Sequence, residues 1–240
     1  METHDSDNSN EATHDQLVQE KAALRSRVIA RRDAIPVDER ARRSQVLCEQ
    51  LLQELSRLLP ENATVAAYSA LGSEPNLAAF LWGAYGRGWR VCLPCMVKAA
   101  EQGEGGTATT SAAASAAGAA APTNHPQKKF RMVFLDVPQE DFEAHEAPFL
   151  VKPAKALSQG DPLLCRFVAV EAAEMDAVLV PLVAFDDGLN RLGYGGGNYD
   201  RFLGELRGDA FVVGIAFEEQ RVDAVPLEPH DLPLPRIARA

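Results

Sequence analysis

The stretch AVLVPLVAFDDGLNRLGYGGGNYDRF, residues 177–202, decides the fold. It opens on a near-continuous apolar run, Ala177–Phe185, of the kind that a strand covered on both faces requires. Asp186-Asp187-Gly188 follows as a turn signal, then four glycines among positions 193–197, then the start of a helix near Asn198 or Tyr199. A hairpin tip uses one or two glycines, not a run. Bare backbone at this density suits a loop that approaches a ligand closely, with N–H groups aimed at an anion. Strand, glycine loop and helix N-terminus in this order make an anion site at the carboxyl edge of a parallel sheet. Arg191 and Arg201 would add charge-assisted bonds to phosphate, and Asp200 would hold a divalent cation beside it. The competing reading is a glycine-rich surface loop with Asp200 merely favourable at a helix start. The loop fails the dinucleotide fingerprint, because Asn198 stands where the third glycine belongs, and it lacks the Gly-Lys-Ser/Thr of a Walker loop.

Outward from this stretch, two helices lead the chain. Leu17, Leu24 and Val28 give a loose apolar stripe to a helix from Asp15 to about Ala34, and Pro36 follows its end. Leu47, Leu51, Leu55 and Leu58 mark a second helix over about 38–59, stopped by Pro60. The period then shortens. Thr64–Leu71, Arg90–Val97, Arg131–Val137, Asp176–Phe185 and Phe211–Phe217 read as strands, with helices over Leu77–Gly86 and Asn198–Leu206 between some of them. Alternating apolar strands and helices predict an α/β fold of three layers, with a mostly parallel sheet and helices on both faces.

Residues 1–14 are acidic and polar and read as a disordered tail ahead of a single domain at 15–240. Residues 98–129, rich in Ala, Gly, Ser and Thr, read as a low-complexity insertion between two strands. A net charge of −10 and a pI near 5.0 argue against a protein that binds nucleic acid through a general basic field. The longest apolar run is about half a membrane span, and the leading residues resemble neither a signal nor a transit peptide. A cytoplasmic protein with no nucleic-acid or membrane partner is expected, with four reduced cysteines. Of these, Cys92 and Cys95 have the spacing of a redox pair but read more simply as buried strand-end residues.

The residues Arg191-Leu-Gly-Tyr-Gly-Gly-Gly-Asn-Tyr-Asp-Arg201 resemble the signature of the 5-formyltetrahydrofolate cyclo-ligase (5,10-methenyltetrahydrofolate synthetase) family. Lys21-Ala-Ala-Leu-Arg25, Tyr68-Ser-Ala-Leu-Gly-Ser-Glu74, Val180-Pro-Leu-Val-Ala-Phe-Asp186, Gly214-Ile-Ala-Phe-Glu-Glu-Gln220 and Pro226-Leu-Glu-Pro-His-Asp231 resemble further segments in the same order, so the likeness covers about 17–239. It implies a NagB/RpiA/CoA-transferase-like architecture and a monomer. The implied activity turns 5-formyltetrahydrofolate and ATP, with Mg2+, into 5,10-methenyltetrahydrofolate, ADP and phosphate. Such chemistry rests on positioning and on neutralising phosphoryl charge, without a catalytic triad.

Carried over by position, the resemblance implies ATP contacts from Lys21, Ala22, Ala23, Leu24 and Arg25, and from Arg191, Leu192, Gly193, Tyr194, Gly195, Gly196, Gly197, Asn198 and Tyr199. Ser69 and Glu74 would meet the folate, together with Tyr194, Gly195, Gly196, Gly197 and Asn198, while Asp200 and Asp231 would bind Mg2+. Alone, Lys21 and Arg25 also read as a solvated basic face, Glu74 as a turn residue before Pro75, and Asp231 as a loop acid. Three features depart from the family: Asn198 replaces the first of two tyrosines, Glu143-Ala-His-Glu-Ala-Pro148 replaces an Ile-Pro-Glu-Pro-like segment, and the insertion separates strands otherwise joined more directly. His145 reads as an exposed loop histidine. Asn198 leaves room for a catalytically weak nucleotide- or folate-binding relative, and the glycine loop for a dinucleotide-dependent oxidoreductase.

Overall fold

The computed structural model describes residues 5–98, 130–145, 148–153, 155–158, 160–228 and 231–240. Helices α1 (Asp5–Asp33) and α2 (Val37–Leu58) come first, then β1 (Thr64–Ala66), α3 (Ala78–Tyr85) and β2 (Arg90–Lys98). β3 (Phe130–Asp136), α4 (Gln139–Ala144), α5 (Pro148–Val151), β4 (Ala169–Val170) and β5 (Ala177–Pro181) follow. The chain closes with β6 (Ala184–Phe185), β7 (Arg191–Leu192), α6 (Asn198–Gly204), β8 (Phe211–Ala216) and β9 (Ile237–Arg239). Seven strands form one sheet in the order β4-β3-β2-β1-β5-β8-β9. The run β2-β1-β5-β8-β9 is parallel, and β3 and β4 add an antiparallel edge. No described helix is long and apolar enough to cross a membrane.

Side-chain alternation along the strands builds the three layers. Val65, Val91, Leu93, Leu179 and Ile215 face the apolar stripe of α2 (Leu47, Leu51, Leu55) and Phe80 of α3. Ala66, Cys92, Phe134, Val178 and Val180 face the other way, toward Tyr199, Phe202 and Leu203 of α6. Both faces of β5 are therefore covered, which explains its unbroken apolar run. Cys92 and Cys95 belong to opposite faces, and burial pushes their thiols up to about 12 and about 11, so they are packing residues and not a redox pair. A methyl group at Gly214 of β8 would stand 2.6 Å from Leu234 Cδ1 and 2.8 Å from Leu182 Cδ2. Gly214→Ala is therefore expected to cost about 1–3 kcal/mol by overpacking, read as a lower urea midpoint with an unchanged slope.

Three expectations need correction or limits. The run 176–185 is not one strand: β5 stops at Pro181, which has no N–H to continue a ladder, and Ala184–Phe185 pair instead with Arg191–Leu192 in a separate two-stranded sheet. An apolar run cannot by itself reveal a change of partner, but Asp186 can enforce it. Its carboxylate accepts the Asn190 and Val225 N–H groups at 3.1 and 3.0 Å, closing the hairpin turn in which Leu189 takes φ 62°. Second, α1 begins at Asp5, inside the stretch expected as a disordered tail over 1–14, of which residues 1–4 lie outside the described residues. Extending a packed helix avoids a new nucleation step. Third, the insertion at 98–129 lies outside the described residues, apart from Lys98, which closes β2 opposite Phe130.

Candidate functional site

At the carboxyl end of β5 a cavity of about 690 Å³ opens between the glycine loop, α1, the loop after β1 and the segment before β9. Lys21, Arg25, Ser69, Glu74, every residue from Arg191 to Asp200, and Asp231 line it. Sites drawn from four separate stretches of sequence thus meet at one place. Ala22, Ala23 and Leu24 do not: the two alanines are exposed, and Leu24 is buried against Val183, Ala184 and Leu192 of the hairpin. Within residues 21–25, helix phase turns Lys21 and Arg25 toward the cavity.

Lys21 is buried, and its ammonium donates to Glu228 Oε2 at 2.7 Å and Asp231 Oδ2 at 2.6 Å. Burial alone would lower its pKa, yet the hydrogen bonds and charges of the two acids raise it above the ordinary lysine value. Arg25 donates from Nε to the Gly193 carbonyl at 2.8 Å. Burial pulls its pKa down, and the charges of Asp231 and Glu228 oppose that only in part. Gly195 (φ 91°) passes so close that a Cβ there would lie 3.3 Å from the Arg25 guanidinium. The positive φ calls for glycine, and a Cβ would in addition press the guanidinium back by a few tenths of an ångström.

On the far side of the loop Arg191 is buried, donating to Asp200 Oδ1 at 2.6 Å and to the Leu232 carbonyl at 2.8 Å. The residue expected at phosphate is bonded to the residue expected at metal, so one fixes the other. Asn198 opens α6, with Oδ1 accepting from Arg201 at 2.6 Å and Nδ2 pointing at Met96 Sδ, 3.6 Å away. Tyr199 packs edge-on to Phe134, its hydroxyl buried without a hydrogen-bond partner among the described residues. Among those residues no group of three or more His, Cys, Asp or Glu side chains is arranged to hold a metal unaided.

Glu74 is 6% exposed, so its carboxylate is costly to keep charged. Oε2 accepts the Leu71 N–H at 2.8 Å, whereas Oε1 has no hydrogen-bond donor among the described residues. Burial raises its pKa, and the Leu71 N–H, the nearby Tyr194 hydroxyl and the Arg32 charge moderate the rise. Below the ordinary glutamate value of 4.5 the group is protonated in both folded and unfolded chains; above it, folding bears the cost of the buried charge. Glu74→Gln is accordingly expected to melt higher than the wild type at pH 7, with the difference shrinking as the pH falls toward 4.5. A variant that melts lower at pH 7 would contradict this.

Several lining residues had no place in the sequence-based site: His14, Tyr68, Met96, Met132 and Glu228. Glu228 stands inside a quoted motif, so its signal was present. Arg32, just behind the wall, follows Lys21, Arg25 and Val28 at i+11, i+7 and i+4 on one face of α1, a helical spacing that the sequence carries openly. His145 is exposed at the end of α4, stacked on Phe142 and away from the cavity.

Comparison with known proteins agrees with the resemblance. A Mycolicibacterium smegmatis 5-formyltetrahydrofolate cyclo-ligase is 29% identical over 217 residues, 90% of this chain and 92% of that one. The Haemophilus influenzae cyclo-ligase is 48% identical over 62 residues and the Escherichia coli K12 one 42% over 66, stretches that span about a third of those two relatives. Among solved structures, a Mycoplasma pneumoniae 5,10-methenyltetrahydrofolate synthetase superposes with a TM-score of 0.60 at 21% identity, covering 91% of this chain and 97% of that one. An Aquifex aeolicus 5,10-methenyltetrahydrofolate synthetase gives 0.53 at 22%, covering 91% and 89%; at such identities both speak for the fold alone. The family's sequence profile matches residues 17–239, and the chain belongs to the 5-formyltetrahydrofolate cyclo-ligase family.

Proposed function

We propose that the protein closes 5-formyltetrahydrofolate to 5,10-methenyltetrahydrofolate at the expense of ATP, releasing ADP and phosphate, as a cytoplasmic monomer. One observation carries the reading: a single cavity joins the glycine loop and two α1 cations to a buried carboxylate on the opposite wall. The N–H groups of the loop and Arg25 suit nucleotide phosphates, and Glu74 and Ser69 suit the N–H donors of the pterin. An N-formyl group is a weak electrophile. Transfer of the γ-phosphoryl group to the formyl oxygen makes that oxygen a leaving group. N10 then attacks the formyl carbon and loses its proton, and the C–O bond breaks to release phosphate. The enzyme's part is to hold the formyl oxygen in line with the γ-phosphate and to exclude water.

Asp200 and Asp231 are hard oxygen donors on the wall of the same cavity. Two carboxylates without a third protein ligand fit Mg2+, which takes one or two carboxylates together with substrate phosphates rather than an all-protein cage. Bound there, Mg2+ would neutralise phosphoryl charge. Arg191 holds Asp200 in place for that task, and Lys21 holds Asp231.

The direct test mixes purified protein with MgATP and 5-formyltetrahydrofolate and follows the absorbance of the methenyl product; no ATP-dependent rise would refute the reading. Asn198 gives a finer check. Asn198→Tyr is expected to raise kcat/KM for folate about two- to twelvefold, the worth of one aromatic stacking contact, with ATP affinity little changed. Unchanged parameters would place position 198 away from the folate.

A further inference from the structure

Arg32 lies in the last turn of α1, and only 2% of the residue is exposed. Its Nε donates to Ser73 Oγ at 2.8 Å and its Nη2 to the Tyr194 hydroxyl at 3.0 Å. The Ser73 hydroxyl in turn donates to Asp33 Oδ1. Ser73 adjoins Glu74 in the loop after β1, and Tyr194 belongs to the glycine loop. One guanidinium therefore ties together the helix that carries Lys21 and Arg25, the loop that presents Glu74, and the loop that suits phosphate.

Burying an arginine this deeply is costly, and the usual recompense is a fully bonded fork. Here the fork is incomplete. Among the described residues Nη1 is buried with no acceptor and Glu74 Oε1 is buried with no donor. Donor and acceptor are complementary in sign, and the Arg32 charge already acts on Glu74. Buried polar atoms without partners are rare enough that each asks for a reason. A pin serving only the fold would gain from closing that last bond. A side chain that must follow two loops at once has to leave one bond adaptable.

We infer that Arg32 is a positioning residue that couples the two halves of the cavity, so that nucleotide on the glycine loop strengthens folate binding beside Glu74, and the reverse. The inference rests on the function proposed above. Phosphate held by the loop N–H groups fixes Tyr194. Tyr194 fixes the guanidinium, and the guanidinium fixes Ser73 and the adjoining Glu74. Folate then meets a wall that is already ordered, and linkage makes the effect reciprocal.

The test is calorimetric titration of 5-formyltetrahydrofolate with and without the β,γ-imido analogue of ATP and Mg2+. The wild type, Arg32→Lys and Ser73→Ala are compared, each checked for folding by its melting curve. Lysine keeps the charge but cannot span Ser73 and Tyr194 together. Ser73→Ala removes the other end of the bridge without touching a residue that lines the cavity. In the wild type the analogue is expected to lower the folate Kd by about 5- to 150-fold, the usual span of coupling between two sites. In the variants that factor should fall below about threefold, while the affinity for each ligand alone changes by less than about threefold. Wild-type coupling in either folded variant would overturn the inference, as would a wild type that binds both ligands independently. A wild type that binds neither ligand would instead overturn the proposed function, and the inference with it.

Discussion

Lys21→Met is expected to lower both stability and activity, more steeply than any other single change in the cavity. The lysine side chain is 8% exposed and donates to both Glu228 Oε2 and Asp231 Oδ2, which the Arg25 charge also faces. Taking away one member of a buried ionic group costs about 3–5 kcal/mol, because the charges left behind stay desolvated and face one another. A domain of ordinary stability would lose about a fifth or more of its total. Activity should fall too, because Asp231 would no longer be held. The double variant Lys21→Met with Glu228→Gln should recover part of the stability by removing one of the two negative charges that Lys21 pairs. Denaturant unfolding checks both, and a Lys21→Met protein as stable as the wild type would show that the cluster is solvated. The pH dependence has a definite sign. The folded pKa of Lys21 is raised, so its stabilising contribution is complete below the ordinary value of 10.5 and is lost as the pH climbs through the raised value.

Asp200→Asn should leave the fold nearly untouched and remove most of the turnover. The amide oxygen can still accept the bond from Arg191, now 2.6 Å from Asp200 Oδ1, so the buried arginine keeps a partner. What disappears is negative charge. If Asp200 helps to hold Mg2+, the loss bears on several kcal/mol of phosphoryl charge stabilisation. At about 1.4 kcal/mol per tenfold in rate, a drop of about a hundredfold or more in kcat/KM follows, deepest at limiting Mg2+. Melting curves separate this from unfolding. Near-wild-type turnover of folded Asp200→Asn at limiting Mg2+ would remove the metal role and leave Asp200 as the partner of Arg191 alone. The two variants are complementary: Lys21→Met tests the architecture of the cluster, and Asp200→Asn tests its chemistry.

Much of this protein is determined by sequence alone. The leucine stripe of α2, the apolar run of β5 and the glycine loop before α6 each carry their structure in local pattern, because a buried face must repeat with the period of its element. Ordered motifs were enough to name the family. Tertiary structure decided the rest. The end of β5 at Pro181, and the turning of Ala184–Phe185 into a hairpin, depend on partners that an apolar run does not specify. The short edge strands β4 and β9 pair for two and three residues, too few for a period to register. Above all, sequence offered Lys21 and Arg191 as phosphate contacts and Asp200 and Asp231 as metal ligands, yet folding bonds each cation to one of those carboxylates. Such pairing joins positions up to 210 residues apart, and desolvation enforces it: charges drawn into a low-dielectric wall must neutralise one another there, and only the folded chain decides which ones meet.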